Sequence, residues 1–565
     1  MTPSNSSDKM VTSQGSGFQG KNTGQMLQFD PCPWDLVVIV SILIYTWIAY
    51  SGMIPTSVDG VNICSDLACY AQHLAGISHR APFAQDPILA VPTPSNTLPT
   101  IETFLARLLQ PDDNYVLGLF RAAAIAVAGN YIAYYIVGRL FFKSIILSVL
   151  LSVLMTTTVW VGFGTFWGLA TGDVTPRVFF SAYFALLFVG AVLTIDRPLL
   201  RPIIMFAAGA GIYIHGISSL NASCMFFVVF AFSKPDSSST SNHIKNLIVC
   251  VLAWAVPTFL FFHGVLTQSG SFTSEKLEIL QQTFDKRFAK DYGKLFHGDE
   301  IPLLPLAIIG YIVIMYIGTT QMKKLVKICI LMFFGICVAL ILSFVESSLS
   351  VYIDRMPMGR EIPRGARFLV PIIWLMVVGA GTCLMQKFPH TIFIMATISI
   401  VCIVTFDEGR WMRAFSYEVR DVLGLQQSQK TVQEMEEARK YLEALKALDR
   451  LAPPGEPVLG IPDAMAVRYL LHRPLVHSFK DGSFYLYNRD FEGAKKWLHL
   501  AKLLGDEGGV KFWLASGARW LLCDDPEVRE CLVQEGAGTI VWSNETWFIA
   551  RRNDNAPEDT AATAR

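Results

Sequence analysis

Between residues 34 and 406 the chain alternates apolar runs with short polar breaks, and this alternation constrains its fold more than any other feature. A bilayer core of ~30 Å is crossed by about 20 apolar residues in a helix, which satisfies its own backbone polar groups. Such runs lie near 34–53, 115–138, 145–163, 178–195, 202–217, 219–232, 246–267, 302–318, 327–347, 367–384 and 390–406. They predict an α-helical polytopic membrane protein with about eleven spans. The fifth and sixth runs are short and interrupted around Gly209, Gly211 and Gly216, which marks them as broken or partly re-entrant. Charge content agrees: 16% of the residues are charged, against ~25% in soluble chains.

The breaks also carry an orientation. Those after the second, fourth, sixth, eighth and tenth runs hold Arg139 and Lys143; Arg197 and Arg201; Lys234 and Lys245; Lys323, Lys324 and Lys327; and Lys387. Basic residues in short loops stay cytoplasmic, so the N-terminus is expected inside and the odd-numbered breaks outside. Residues 1–33 are polar and Ser/Gly-rich and read as a disordered cytoplasmic tail without a cleavable signal. The membrane domain, 34–406, includes a first outward loop at 54–114 with two expected helices, near Asp66–Ser78 and Thr97–Leu109.

Beyond Glu408 the chain turns charged. A helix is expected over 431–451, ended by ProProGly at 453–455. Short β-like runs at 457–461, 474–477, 520–523 and 539–550 then alternate with helical stretches near 463–472, 490–504 and 508–515. This pattern predicts a C-terminal soluble α/β domain at 407–553, extracytoplasmic by parity, before a disordered tail at 554–565. No GxGxxG or Walker loop follows a strand. The 46 basic and 46 acidic residues balance, which argues against a nucleic-acid partner. Eleven cysteines are scattered without a metal-type CxxC pair and read as small buried residues.

Two groups of residues carry the chemistry. In the first outward loop, Asp66, Tyr70 and His73 share one helix face, with Tyr70 and His73 expected as substrate contacts, and Asp86 precedes a proline that favours a turn. Asp66 is either a general base toward a hydroxyl or a carboxylate satisfying the N-terminus of its helix. Asp86 is either a second acidic site, for an acceptor or a divalent cation, or a turn residue; the cofactor stays unknown. The second group is Arg355, Arg360, Arg364 and Arg367, four arginines in a loop that parity places outside, against the charge bias. An anionic partner accounts for them: a lipid phosphate clamped by their planar forks, ordinary anionic lipid, or the soluble domain. Arg177 and His215 sit at the same expected boundary as substrate contacts, His215 being otherwise a packing residue.

AspLeuAlaCysTyr at 66–70, Asp86-Pro87, the large first outward loop with two helices, the inside N-terminus and the outward C-terminal domain together resemble the GT-C superfamily of membrane glycosyltransferases. Asp59 is followed by glycine, where that family usually has a paired Asp-Glu. The resemblance implies transfer of a sugar from a polyprenyl-phosphate carrier to an extracytoplasmic acceptor. Asp66 would be the base, and Arg360, Arg364 and Arg367 would hold the carrier phosphate. The rivals are a non-catalytic component of an envelope-glycan assembly complex, which would hold lipid or recruit protein partners, and a transporter. A transporter is disfavoured because no internal repeat is evident.

Overall fold

The computed structural model describes residues 31–90, 100–110, 114–161, 165–168, 176–235, 238–266, 273–288, 300–352, 359–406, 410–488, 490–506 and 508–553. The expected terminal tails lie outside these residues, apart from 31–33 and their entry into the first helix. The chain is a helical multi-pass membrane protein with a small sheet near its C-terminus. Among the described residues seven helices are long and apolar enough to cross a membrane, and Ile145–Thr156, Pro198–Ala210 and Ile301–Ile317 are shorter apolar helices.

The chain opens with α1 (Pro33–Thr56), then α2 (Ser65–Ser78) and α3 (Thr100–Leu109) in the first loop. α4 (Tyr115–Phe142), α5 (Ile145–Thr156), α6 (Pro176–Thr194), α7 (Arg201–Ala210), α8 (Ile212–Ala231) and α9 (Thr240–Leu266) follow. α10 (Ser274–Phe288) is amphipathic and precedes α11 (Glu300–Ile317), α12 (Thr320–Tyr352), a 3-10 segment at Gly359–Phe368, α13 (Leu369–Lys387) and α14 (Thr391–Phe406). α13 is enclosed by its neighbours, whereas α1 and α9 present Trp34, Leu43, Trp47, Leu252, Phe259 and Leu260 on the outside. Apolar side chains facing outward from a membrane bundle meet lipid and need no partner.

Local chemistry sets the ends of several helices. Pro33 opens α1, and the Asp35 carboxylate accepts from the Cys32 amide at 2.7 Å. The third apolar run does not stay helical to 163. It ends at Thr156, and β1 (Val159–Val161) pairs antiparallel with β2 (Thr165–Trp167). Three consecutive threonines and ValTrpVal are β-branched or aromatic residues that favour extended backbone. The fifth and sixth runs become α7 and α8, with His215 in extended conformation (φ −155°, ψ 106°) inside α8. The interruption expected there is present.

Contacts show which ends lie together. Arg139 at the end of α4 pairs with Asp35 at the start of α1 at 2.7 Å, and Lys324 near the start of α12 pairs with Asp196 just past α6 at 2.7 Å. The Arg201 guanidinium, at the start of α7, donates to carbonyls of Ile195, Phe230 and Ser233. Basic breaks after α4, α6, α8 and α11 therefore gather at one end, and α7 with α8 forms a hairpin that returns to it.

At the other end the chain leaves the bundle through α15 (Arg410–Val422), packed on α1, and α16 (Gln429–Leu451). Gly52 of α1 lies against the Ala414 carbonyl of α15, where a Cβ would come within 2.0 Å of the oxygen. The C-terminal unit is a four-stranded mixed sheet, order β3-β4-β6-β5, from β3 (Val458–Ile461), β4 (Trp520–Cys523), β5 (Gly538–Ser543) and β6 (Phe548–Arg552). β3 and β4 run parallel, and β5 and β6 form an antiparallel hairpin over the run at 539–550. Residues 474–477 contribute only a bridge, Leu475 to Val458. Around the sheet lie α17 (Ala466–Tyr469), α18 (Asp481–Asn488), α19 (Phe491–Asp506), α20 (Gly509–Ser516) and α21 (Pro526–Glu535). One core joins this unit to the first loop: Leu67, Ala71, Leu74 and Phe83 pack in one cluster with Val467, Leu475, Phe484 and Trp497. The C-terminal unit and the described part of the first loop therefore share one core. Ten cysteines among the described residues are free.

Candidate functional site

The first-loop carboxylates part ways. Asp86 is 1% exposed and follows the turn at Ala81–Phe83. Its Oδ1 accepts from the amides of Ile88 and Leu89, both at 2.9 Å. Its Oδ2 accepts from Arg468 Nε at 2.7 Å and from the Leu475 amide at 3.0 Å. Four donors fill the roughly four lone-pair positions of a carboxylate. Arg468, fully buried in α17, gives its remaining N–H groups to Gln72 Oε1 at 3.0 Å, the Leu475 carbonyl at 2.8 Å, and both oxygens of Asp481 at 2.7 and 3.0 Å. The expectation that Asp86 serves an acceptor or a divalent cation is corrected: no oxygen of that carboxylate is open. It locks the first loop to the C-terminal unit. Burial pushes the Asp481 carboxyl up to about 6 while Arg468 opposes it, so Asp481 is ionised at neutral pH.

His73 belongs to the same interface. It is 1% exposed, with its ring 4.0 Å from that of Phe484 in α18. Burial, then the Arg468 charge, pushes it down to about 3, so it is neutral. Tyr70 is half-buried at the edge of the same core. The helix face shared by Asp66, Tyr70 and His73 thus runs under the C-terminal unit. His73 as a substrate contact is corrected, because α18 covers it.

Asp66 lies near the start of α2 with 38% of its side chain exposed, and no described contact has its carboxylate capping that helix. Cys64 is the cap there. Asp66 instead pairs with Lys480 Nζ and, at 3.6 Å, with Arg177 Nη2. Burial raises the Asp66 pKa, but Lys480, Arg177 and Arg287 outweigh it and hold the carboxylate below its ordinary 3.8. A general base working near neutrality would need a raised pKa, and in this state the cations around Asp66 hold it down instead.

From Arg177, at the start of α6, the cluster continues inward. Its guanidinium lies 4.4 Å from the Phe166 ring of β2. Beyond it Arg367, 3% exposed, donates to the Ser218 hydroxyl, to Thr165 Oγ1 at 3.4 Å and to His215 Nδ1 at 3.5 Å. His215 Nδ1 also accepts from the Ser218 amide at 3.1 Å. An imidazole nitrogen that accepts from two N–H donors carries no proton, so the ring's proton is on Nε2. The extended backbone at His215 swings its ring over the next turn of α8, and the 3-10 segment brings Arg367 to it. Arg177, Arg364 and the carboxylate of Glu361 lie within electrostatic range of Arg367, the two cations outnumbering the one anion. Arg364 itself pairs with Glu361 at 2.7 Å. The Arg360 side chain and Arg355 lie outside what is described.

The structure therefore brings together Asp66, Arg177, His215 and Arg367, with Arg364 at the margin. It places Asp86 and His73 elsewhere. Sequence reasoning missed Lys480, Arg287, Ser218, Thr165 and Arg468. Two of these left a signal: Arg468 interrupts the apolar stretch AlaMetAlaValArgTyrLeuLeu, and Ser218 follows His215 inside an apolar run. Among the described residues no group of three or more His, Cys, Asp or Glu is placed to hold a metal ion. No protein-family model matches the chain, and no curated protein sequence matches it.

Proposed function

We propose that the chain is a membrane glycosyltransferase that takes a sugar from a polyprenyl-phosphate carrier, with Arg367 and Arg177 on the carrier phosphate and Asp66 as base. The observation that carries this reading is Arg367: a buried guanidinium whose contacts among the described residues are all with neutral groups. A desolvated charge of that kind is costly unless an anion completes it, and a phosphate suits the guanidinium fork. In the reaction the acceptor hydroxyl attacks the anomeric carbon and the bond from that carbon to the phosphate oxygen breaks. The phosphate leaves with its electron pair onto Arg367 and Arg177, and the hydroxyl proton passes to Asp66. In this reading the chain has about eleven spans, the end with the basic breaks is cytoplasmic, and the cluster and the C-terminal unit are extracytoplasmic.

A second reading is favoured by a specific contact. The Asp66–Lys480 pair occupies the base, as in a non-catalytic subunit that only holds phosphate-headed lipid. The two separate in one experiment. Reconstituted protein is supplied with lipid-linked sugars from its own membranes, and release of polyprenyl phosphate is followed by mass spectrometry. The transferase reading expects release by the wild type and none by Asp66→Asn, which still retains the carrier. Equal release from both removes Asp66 from the mechanism, and absence of release from the wild type favours the lipid-holding subunit.

A further inference from the structure

Lys480 reaches the site from the far end of the sequence, and its mount is rigid. It sits in the loop before α18, where the Asp481 carboxylate accepts from the Ser478 amide at 3.0 Å and from both Nη groups of Arg468. Asp463 accepts from the Ser478 hydroxyl at 3.0 Å and the Phe479 amide at 3.2 Å. Trp497 Nε1 donates to the Ser478 carbonyl at 2.9 Å. On the other side Arg287 of α10 lies 4.9 Å from the Phe479 ring and donates to the Ser483 hydroxyl at 3.0 Å. Asp86 fixes Arg468, Arg468 fixes Asp481, and the neighbouring Lys480 is thereby aimed at Asp66. The aiming groups belong to both the first loop and the C-terminal unit. A long flexible ammonium on a fixed base is suited to exchanging one anion for another without moving its backbone.

We propose that Lys480 is a phosphate-binding residue supplied by the C-terminal unit: it rests on Asp66 when the site is empty and moves to the carrier phosphate when that arrives, freeing the carboxylate. This rests on the reading that a polyprenyl phosphate occupies the Arg367 cluster, and it adds a residue and a sequence of events to it. Its physical basis is exchange of ion pairs. A sugar-linked phosphodiester carries one negative charge over two free oxygens and competes with the Asp66 carboxylate for Lys480 and Arg177, and its pull grows as the sugar leaves and the monophosphate approaches two charges. As those cations leave, Asp66 loses the neighbours that hold its pKa down and becomes a stronger base. The base is thus weak in the empty site and strengthened when the carrier is seated.

The test is a titration of the full chain in nanodiscs with polyprenyl monophosphate, read by native mass spectrometry. Lys480→Gln is expected to weaken retention about ten-fold and Lys480→Arg to restore it to within about two-fold, because the charge and not the ammonium shape is required. Asp66→Asn, which removes the competing anion, is expected to tighten retention several-fold, and that gain is expected to shrink when Lys480→Gln is added. Unchanged affinity in Lys480→Gln, with retention lost in Arg367→Gln, overturns the role of Lys480 and leaves the carrier-binding reading intact. An equal gain from Asp66→Asn in both backgrounds also overturns the exchange. Absence of specific retention by the wild type removes the carrier-binding reading itself. Thermal melting of each variant shows whether it is folded, and Lys480→Arg, which preserves the charge, is the reference if Lys480→Gln melts early.

Discussion

Arg468 and Arg367 are both buried guanidinium groups at the same end of the molecule, 0% and 3% exposed, and they differ in what surrounds them. Arg468 places its five N–H groups on two carboxylates, one amide and one backbone carbonyl. Arg367 meets two hydroxyls and a neutral imidazole. Arg201, equally buried at the opposite end, also makes no direct ion pair among the described residues, but it rests on carbonyls at or just past the ends of α6 and α8, where the helix dipole is negative, with Asp196 within electrostatic range. A saturated buried charge holds a structure together, whereas the one whose direct contacts are neutral side chains is where we propose that an anionic ligand binds. The contrast separates the lock from the site.

The largest effect expected from breaking this comparison is at the lock. Arg468→Met leaves Asp86 and Asp481 buried without a counter-charge and is expected to destabilise the chain by ~3–5 kcal/mol. Arg367→Gln removes a charge that makes no direct ion pair among the described residues, and its melting temperature is expected to reflect a change within ~1 kcal/mol. Parallel melting curves read both, and equal destabilisation erases the distinction.

A smaller effect is expected where the 3-10 segment passes α8. A Cβ on Gly365 would lie 1.9 Å from Asn221 Oδ1, and the Asn221 amide donates to the Ile362 carbonyl at 3.2 Å. Gly365→Ala is expected to cost ~1–3 kcal/mol by overpacking and to draw Arg367 away from His215. A melt together with lipid retention checks both consequences.

A further effect, read over the narrow window from pH 7 to pH 5, is a pH dependence at the interface. Burial and Arg468 hold His73 near 3, below its ordinary 6.5, so the unfolded state takes up that proton first as the solution is acidified. The stability it contributes is complete above pH 6.5 and is lost as pH falls toward about 3, by up to ~1.4 kcal/mol per pH unit. The raised Asp481 works in the opposite sense. The difference in melting between wild type and His73→Phe from pH 7 to pH 5 isolates the histidine. Identical pH profiles mean that the ring is not buried against Phe484.

Much of this arrangement was legible in the sequence, for identifiable reasons. Apolar runs gave the membrane helices, and the two first-loop helices lie within three residues of their expected bounds at Ser65–Ser78 and Thr100–Leu109. The run at 145–163 misled because hydropathy cannot tell an apolar helix from an apolar hairpin; only its threonines carried the difference. Asp66 and Asp86 looked alike in sequence, since nothing local distinguishes a carboxylate facing Arg468 382 residues away from one facing Lys480 414 residues away. Those partners come from the C-terminal unit and are assembled only by the tertiary fold.

The most direct test of the central claim is lipid analysis of the purified chain. Native mass spectrometry of wild type and Arg367→Gln is expected to show one phosphate-headed polyprenyl lipid per chain on the first and none on the second, with both proteins folded. Equal retention of that lipid by both, or only bulk membrane lipid on the wild type, would contradict the assignment of Arg367 as a ligand site.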